Sequence, residues 1–191
     1  MHEVLVLEGS PRKGGNTEVL IDAVVRGIVA AGGSAERIRV ADRQVAPCVG
    51  CGGCDKTGIC VVKDEMTDIY ERIGAARRLV LASPIYFYAI TAQLKAVIDR
   101  GQAFWSRKSL AMKAGVWKVD PERKGFLVAV AATKGERVFE GAVLTAKYFL
   151  DAADFVYGGE LLVRGIDRRG EMKKDLESLA RAEQFGRRVL A

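Results

Sequence analysis

The sequence VLVLEGSPRKGGNT, residues 4–17, decides the fold. Its first half, residues 4–7, is a short aliphatic run of the kind that forms a buried strand. Its second half, residues 9–17, is rich in glycine and polar residues, and an amphipathic helical pattern follows at once. A strand, a glycine-rich turn and a helix in this order predict the first unit of an α/β fold with a parallel sheet.

Strand-like and helix-like segments alternate along the rest of the chain. Further strands are predicted over residues 35–40, 79–82, 126–132 and 155–163, with amphipathic helices between them. Five such strands predict a doubly wound five-stranded parallel sheet with helices on both faces, formed by a single domain over residues 1–191. The stretch 102–124 has no clear period and is predicted to be a long functional or interface-forming connection. Its two tryptophans, Trp105 and Trp117, are expected at a subunit interface.

Composition and charge exclude several classes of protein. Of the 191 residues, 49% are hydrophobic and 28% are charged, as in ordinary globular proteins. No run reaches the ~18 to 20 apolar residues of a membrane span, and the first residues lack a signal-peptide pattern, so we expect a cytoplasmic protein. The net charge of +6 is spread without a block of like charges, which argues against nucleic-acid binding. His2 is the only histidine, which argues against histidine-centred catalysis.

The loop after the first strand is a candidate phosphate site. Ser10, Asn16 and Thr17 can donate hydrogen bonds, and Gly15 lets the backbone approach an anion. Arg12 adds a positive charge, and the N-terminus of the following helix favours the same ligand. The loop contains neither the G-x-G-x-x-G pattern of dinucleotide sites nor the Gly-Lys-Ser/Thr of a P-loop. A tight turn whose polar residues only cap the helix stays open as the alternative.

Two segments resemble the flavodoxin-like NAD(P)H-dependent FMN reductase superfamily. The first is the loop Gly-Ser-Pro-Arg-Lys-Gly-Gly-Asn-Thr, residues 9–17. The second is Ser-Pro-Ile-Tyr-Phe-Tyr, residues 83–88, with the helix-like stretch 92–100 behind it. The resemblance implies a flavodoxin-like fold and a bound FMN.

The same resemblance implies where the flavin ring lies. In this family the segment after the third strand borders the ring, here Pro84, Ile85, Tyr86 and Phe87. Proline stiffens such a turn, and aromatic side chains pack on planar ligands. The family's glycine-rich turn after strand four is reduced here to Ala-Thr-Lys-Gly-Glu, residues 132–136, where Thr133 is the expected contact and Lys134 the alternative.

The four cysteines lie close together, in the pattern Cys48-x2-Cys51-x2-Cys54-x5-Cys60. They fall in a glycine-rich loop, residues 47–63, which we expect to be inserted between strand 2 and helix 2. Four thiolates at this spacing suit a [4Fe–4S] cluster. Structural zinc sites usually pair two Cys-x2–4-Cys units across a longer interval, so zinc is the second interpretation and reduced thiols are the third.

The cysteine pattern resembles the iron–sulfur flavoproteins of the same superfamily. The stretch Val-Val-Lys-Asp-Glu-Met, residues 61–66, also resembles the segment that follows the cysteines in that group. The resemblance implies FMN paired with the cluster, in a homodimer or homotetramer where the cluster of one subunit lies near the flavin of another.

The function expected from these features is that of an FMN-dependent electron-transfer oxidoreductase. Its electron donor is expected to be ferredoxin or NAD(P)H, and no side chain is expected to act as a catalytic acid, since cofactors carry the chemistry. Two alternatives remain open. One is a cluster-free NAD(P)H-dependent FMN or quinone reductase, and the other is a zinc-stabilised non-enzymatic binding module.

Overall fold

The computed structural model describes residues 4–191, so His2 lies outside the described part of the chain. The strands and helices occur in the order β1 (Val4–Glu8), α1 (Asn16–Ala30), β2 (Ala35–Arg39), α2 (Met66–Ala75), β3 (Arg78–Pro84), α3 (Ala92–Arg100), α4 (Gln102–Lys113), β4 (Lys124–Ala131), α5 (Glu140–Ala152), β5 (Val156–Arg164) and α6 (Leu176–Leu190). Short 3₁₀ turns occupy Val40–Asp42 and Met172–Lys174. Within residues 4–191, no helix is both long enough and apolar enough to cross a bilayer.

The described strands form one parallel sheet in the order β2-β1-β3-β4-β5. β1 pairs with β2 on one side and with β3 on the other, so the strand order reverses at β1. The loops that follow β1 and β3 therefore leave the same edge of the sheet in opposite directions, which opens the crevice where doubly wound sheets bind ligands. The order 2-1-3-4-5 is that of flavodoxin-like folds, and the predicted fold class is confirmed.

Two apolar cores cover the two faces of the sheet. Val4 and Val6 of β1 pack with α1 and α6 on one face. Leu5 and Leu7 of the same strand pack with α2, α3, α4 and α5 on the other. Because successive side chains of a strand point to opposite faces, a strand buried on both sides has to be apolar throughout. This requirement explains the unbroken aliphatic run that identified β1.

Helices α1 and α6 meet at two glycines. A Cβ on Gly27 would overlap the carbonyl oxygen of Glu183, and a Cβ on Gly186 would overlap the carbonyl oxygen of Val24. The two helix backbones are therefore in direct contact, at a separation that no larger residue permits. This contact holds α6 against the helix that follows the glycine-rich loop.

The stretch 102–124 differs from the irregular connection that the sequence suggested, because its first half is helix α4. Sequence periodicity missed this helix because its buried face mixes Ala103 and Phe104 with Ser106 and Lys108. A buried lysine interrupts the row of apolar residues on one helix face. This row is the pattern from which an amphipathic helix is predicted.

Lys108 holds the second half of the same stretch in place. Its Nζ donates to the backbone oxygen of Asp151 at 2.8 Å and to Oδ1 of the same residue at 2.9 Å. It also lies 4.9 Å from the centroid of the Trp117 ring, whose Nε1 donates to Asp154 at 2.8 Å. Trp117 thus packs against Lys108 and is half-buried, whereas Trp105 is 44% exposed.

Arginines cap helix ends at the amino edge of the sheet. Arg78 donates through Nε to the carbonyl oxygen of Val189 at 2.9 Å, near the end of α6. Arg123 donates to the carbonyl oxygen of Ile73, near the end of α2, at 3.0 Å. Cations at helix C-termini satisfy carbonyl groups that lack intrahelical partners. Part of the chain's excess positive charge is therefore structural.

The glycine contact between α1 and α6 can be tested with the variant Gly27→Ala. Alanine favours a helix by ~1 kcal/mol over glycine, but its methyl group would separate the two helices at a net cost of about 2 kcal/mol. Gly74→Ala in α2 is the matched control, because a Cβ there would meet nothing within 4 Å. We expect that control to raise the free energy of unfolding by ~0.5 kcal/mol. Urea denaturation followed by circular dichroism measures the free energy of unfolding of both variants. Equal changes in this free energy would contradict the described contact.

Candidate functional site

The loops after β1 and β3 are joined at the carboxyl edge of the sheet. Thr91, the N-cap of α3, donates from Oγ1 to the carbonyl oxygen of Gly9 at 2.6 Å. The Thr91 N–H donates to Ser83 Oγ at 3.1 Å. A Cβ on Gly9 would lie 2.7 Å from the Cβ of Leu94, so only glycine lets β1 and α3 approach this closely. The start of α3 therefore fixes the position of residues 9–17, called the glycine-rich loop below.

The glycine-rich loop is held by its own polar groups. Ser10 Oγ accepts the Arg12 N–H at 3.3 Å, and Glu18 Oε2 accepts the Gly14 N–H at 2.8 Å. Gly14 has φ +64°, a backbone region that residues with a Cβ avoid. The Glu18 carboxylate is paired with Arg39 at 2.8 Å, so its negative charge is balanced where an anion would bind.

Helix α1 begins at the end of this loop with free donors. Gly15 is its N-cap and offers no side-chain cap, and the first helical bond runs from the Val19 N–H to the Gly15 oxygen. The N–H groups of the residues between them, 16–18, are therefore available to an anion. The exposed Arg12 guanidinium takes part in none of the ion pairs found within residues 4–191.

A tight turn follows β3 and presents aromatic side chains. Tyr86 and Ala89 exchange backbone hydrogen bonds of 2.9 and 3.0 Å. Between them, Phe87 and Tyr88 have φ +49° and +63°, the geometry of a type I′ turn that usually holds asparagine and glycine. Non-glycine residues in this region cost of order 1 kcal/mol or more each, and such strain concentrates at functional sites. We call residues 86–89 the aromatic turn.

A cavity of about 190 Å³ opens between the glycine-rich loop and the aromatic turn. Eight of the ten residues predicted to contact a cofactor line it: Ser10, Arg12, Gly15, Asn16, Thr17, Pro84, Ile85 and Tyr86. Phe87 does not line it, because the type I′ turn directs its side chain into solvent, where it is fully exposed. Thr133 does not line it either. In the turn after β4, the residue that lines the cavity is the preceding one, Ala132. The structure adds three further lining residues that the sequence did not indicate, Val130, Ile166 and Asp167.

Ile166 and Asp167 belong to the segment after β5, residues 165–172, which we call the strap. Asn16 fastens the strap to the glycine-rich loop. Its Oδ1 accepts two strap N–H groups at 3.2 and 3.3 Å, and its Nδ2 donates to the Arg168 oxygen at 2.9 Å. The Asn16 side chain is thus committed to the strap, so only its backbone N–H is left for an anion. The sequence gives one indication that the strap borders the cavity, namely its position in the chain. The strap follows a parallel strand, so it starts at the same edge of the sheet as the crevice.

The four cysteines lie on the predicted loop between β2 and α2, residues 47–63, called the cysteine loop. Cys48 and Cys51 are exposed, Cys54 and Cys60 are half-buried, and none is in a disulfide. Ser106 Oγ lies 3.5 Å from the sulfur of Cys54. Thiols are suitable donors for iron or zinc, but within residues 4–191 no three Cys, His, Asp or Glu side chains are grouped around a metal position. The thiols are available on one loop without being gathered at one point.

Arg100, the last residue of α3, joins the two ends of the cysteine loop. Its guanidinium donates to the carbonyl oxygens of Ala46 at 3.0 Å and Val62 at 3.2 Å. It also donates to both carboxylate oxygens of Asp64, at 2.8 and 3.2 Å, and is only 2% exposed. Burial acts to raise the pKa of Asp64, but hydrogen bonds from Arg100 and from backbone N–H groups outweigh it and hold that pKa below the usual range. We call Arg100 and Asp64 the loop clamp.

Comparison with known proteins gives a family and several relatives. A family model described as NADPH-dependent FMN reductase matches residues 2–153. An iron–sulfur flavoprotein of Methanosarcina thermophila is 38% identical over 107 residues, which cover 56% of this chain and 56% of that protein. The match therefore spans little more than half the length of that relative.

Solved structures agree on the fold. The Trp repressor binding protein from Bacillus subtilis is 25% identical, with a TM-score of 0.66 and coverage of 95% of this chain and 99% of that one. An NAD(P)H:quinone oxidoreductase from Methanothermobacter marburgensis has a TM-score of 0.68 at 16% identity, covering 98% of this chain and 96% of its own. At that level of identity the second likeness shows the flavodoxin-like fold alone.

The loop clamp can be tested with Asp64→Asn. Removing one partner of a buried ion pair leaves the Arg100 charge without compensation, and we expect the free energy of unfolding to fall by about 3 kcal/mol. Asp99→Asn is the matched control, because the Lys95–Asp99 pair is close to half exposed on both sides. Such a surface pair contributes under ~1 kcal/mol. Urea denaturation at neutral pH measures both variants.

The same comparison has an expected pH dependence. The folded-state pKa of Asp64 is lowered, so the wild-type pair contributes fully above the ordinary aspartate pKa of about 4 and loses this contribution as the pH falls through the lowered value. The stability difference between wild type and Asp64→Asn is therefore expected to shrink in acid. A difference that stays constant down to pH 2, or that is absent at pH 7, would contradict the clamp.

Proposed function

Since the chain belongs to the NADPH-dependent FMN reductase family, we propose that it is an oxidoreductase that binds FMN between the glycine-rich loop and the aromatic turn. One observation carries the proposal. The Arg12 guanidinium, the buried Thr17 and the free N–H groups of the first turn of α1 all line the same cavity at the carboxyl edge of the sheet. Such a set of donors suits a phosphate monoester.

The space beside Gly15 supports a phosphate position. A Cβ on Gly15 would lie 3.2 Å from the Arg12 oxygen and 3.6 Å from Ser10 Oγ, so a side chain at position 15 would fill the cradle. Backbone N–H groups of the loop and helix would hold the phosphate, and Arg12 would supply the charge-assisted contact.

The other end of the cavity offers an apolar wall to the flavin ring. Pro84, Ile85 and Tyr86 line it, and the Ile85 N–H donates to the Val130 oxygen at 2.8 Å, which fixes the wall to β4. FMN supplies the redox chemistry, because it accepts two electrons and can release them one at a time. The residues of the chain bind and orient the cofactor, and none is required as a general acid.

We infer that NAD(P)H is the electron donor, with ferredoxin as the alternative. The family description supports the nicotinamide. Phe87 is fully exposed and Tyr88 is 53% exposed beside the cavity, which offers an apolar surface to a planar donor or to a partner protein.

For the cysteine loop we propose a [4Fe–4S] cluster bound by Cys48, Cys51, Cys54 and Cys60. The spacing supports it, as does the similarity to an iron–sulfur flavoprotein. Gly50, Gly52 and Gly58 have φ between 63° and 69°, so the loop already bends between its thiols. Because the thiols are not gathered at one point, the proposal requires the loop to close around the metal while the loop clamp holds its ends.

We propose a homodimer or homotetramer as the working assembly. Trp105 and Tyr148, which are 44% and 72% exposed, line an open groove of about 560 Å³ between α4 and α5. Large aromatic side chains exposed together are typical of protein interfaces.

The FMN proposal is tested by titrating apoprotein with FMN and riboflavin. We expect Arg12→Ala to weaken FMN binding by about tenfold or more, because a hydrogen bond to a charged group contributes ~1.5–3 kcal/mol. Riboflavin, which has no phosphate, should bind both proteins equally. Lys13→Ala is the matched control, because Lys13 is paired with Asp42 at 3.5 Å and does not line the cavity.

Activity is tested in the same preparation. NADPH added without oxygen is expected to bleach the flavin absorption of the wild-type holoprotein. If only reduced ferredoxin bleached the flavin, ferredoxin would be identified as the electron donor in place of NADPH. Failure of wild-type apoprotein to bind FMN, or equal FMN affinity for wild type and Arg12→Ala, would contradict the assigned phosphate site.

The cluster is tested on protein purified without oxygen. We expect about four iron and four sulfide ions per chain and a broad shoulder near ~400 nm over the flavin bands. Cys54→Ser should lower the iron content while flavin stays bound, and Ser106→Ala, which removes the hydroxyl beside Cys54, should change neither. Flavin without iron would identify a cluster-free reductase, and colourless protein containing zinc would identify a binding module.

A further inference from the structure

The cysteine loop is anchored to α4 by the turn that follows Cys54. The Cys54 oxygen accepts the Gly58 N–H at 2.8 Å and the Thr57 N–H at 3.2 Å, which closes the backbone over residues 54–58. Gly58 has φ +68°, and a Cβ there would lie only 2.9 Å from the Cα of Arg107. The turn therefore lies directly against the backbone of α4, and these contacts fix Cys54 relative to that helix.

A buried hydroxyl of α4 faces the sulfur of Cys54. Ser106, the residue before Arg107, is only 5% exposed, and its Oγ donates to Cys54 Sγ at 3.5 Å. Serine inside a helix often bonds instead to the carbonyl group four residues earlier. Within residues 4–191, Cys54 is the only hydrogen-bond partner of the Ser106 hydroxyl. Because buried polar groups need a partner, this hydroxyl is committed to the sulfur.

The four thiols of the cysteine loop are therefore not equivalent. Cys48 and Cys51 are exposed, whereas Cys54 is half-buried and is placed both by its own turn and by Ser106. Cys54 is thus oriented by the protein before a metal binds. Since Ser106 is shielded from water, its hydrogen bond acts in a low-dielectric environment, where it is stronger than at the surface.

We propose that Ser106 is a positioning residue that orients Cys54 and raises the reduction potential of the metal centre on the cysteine loop. This inference rests on the [4Fe–4S] cluster proposed above and adds a residue that tunes it. Reduction adds one electron to such a centre, and its thiolate ligands take up part of the added negative charge. A hydrogen bond to a thiolate therefore stabilises the reduced form more than the oxidised form. The Ser106 hydroxyl keeps its proton in both forms.

The experiment is an anaerobic redox titration of the holoprotein, with dithionite as the electron donor and the reduced cluster followed by electron paramagnetic resonance. We expect Ser106→Ala to decrease the equilibrium constant for one-electron reduction about fivefold, which lowers the midpoint potential by about 40 mV. Iron and sulfide contents should stay at the wild-type level. The flavin potentials should not change, because Ser106 does not line the cavity proposed for FMN.

Ser109→Ala is the matched control. It makes the same change further along α4, at a half-buried side chain that has no hydrogen bond to a cysteine within residues 4–191. Its midpoint potential should equal that of the wild type. Circular dichroism and the urea midpoint of each variant establish that the protein is folded.

The outcomes separate this proposal from the one it rests on. Wild-type protein with about four irons per chain, and the same midpoint potential in Ser106→Ala, would overturn the role of Ser106 and leave the cluster intact. A higher potential in Ser106→Ala, or an equal decrease in Ser109→Ala, would also overturn it. Loss of iron from Ser106→Ala would show that the hydroxyl is needed for cluster assembly, which contradicts the tuning role. Wild-type protein without iron would overturn the cluster and this proposal together.

Discussion

The close contact between the end of β1 and the start of α3 is the constraint on which the candidate site depends. Gly9 lacks a Cβ that would collide with Leu94, and Thr91 donates to the Gly9 oxygen at 2.6 Å. This contact joins the loops after two neighbouring strands, so the two walls of the cavity have a fixed separation. Helix α3 then extends for nine residues, about 13 Å, from this contact to Arg100. One short helix therefore sets the position of the cysteine loop relative to the cavity.

The sequence predicted those parts of the fold and site that depend on local pattern. β1 could be predicted because both its faces are buried, which requires an unbroken apolar run. The cavity residues in the ranges 10–17 and 84–86 could be predicted because they directly follow the predicted strands. The place of the strap in the cavity wall could not be predicted, because its contact with Asn16 joins residues more than 150 positions apart and depends on strand order. Phe87 lies outside the lining of the cavity for a different reason. Its residue type favours ring packing, but the turn geometry that sends it into solvent is disfavoured for phenylalanine and is imposed by the surroundings.

Several of the cations that make the chain basic have partners inside the fold. Arg78 and Arg123 bind helix carbonyl groups, Arg100 binds both ends of the cysteine loop, and Lys108 binds Asp151. These cations neutralise internal dipoles and carboxylates, so part of the net charge of +6 has a structural role. At the cavity the situation differs, since neither the Arg12 guanidinium nor the Asp167 carboxylate has an ion-pair partner among residues 4–191. The cavity therefore holds one cation that is free to meet an anion, the group that the proposed FMN site requires.

The two ends of the cavity differ in how firmly they are built. At the end beside the glycine-rich loop, the Asn16 and Glu18 side chains hold the loop, which leaves the backbone N–H groups of residues 16–18 without intrahelical partners. Donors fixed in advance lose little entropy when a ligand binds, so this end is suited to binding an anion. At the ring end, the aromatic turn holds two strained residues with exposed side chains and is tied by one pair of backbone hydrogen bonds. A turn held by so few hydrogen bonds has a low free energy of local opening, so we expect the aromatic turn to move more readily than the glycine-rich loop.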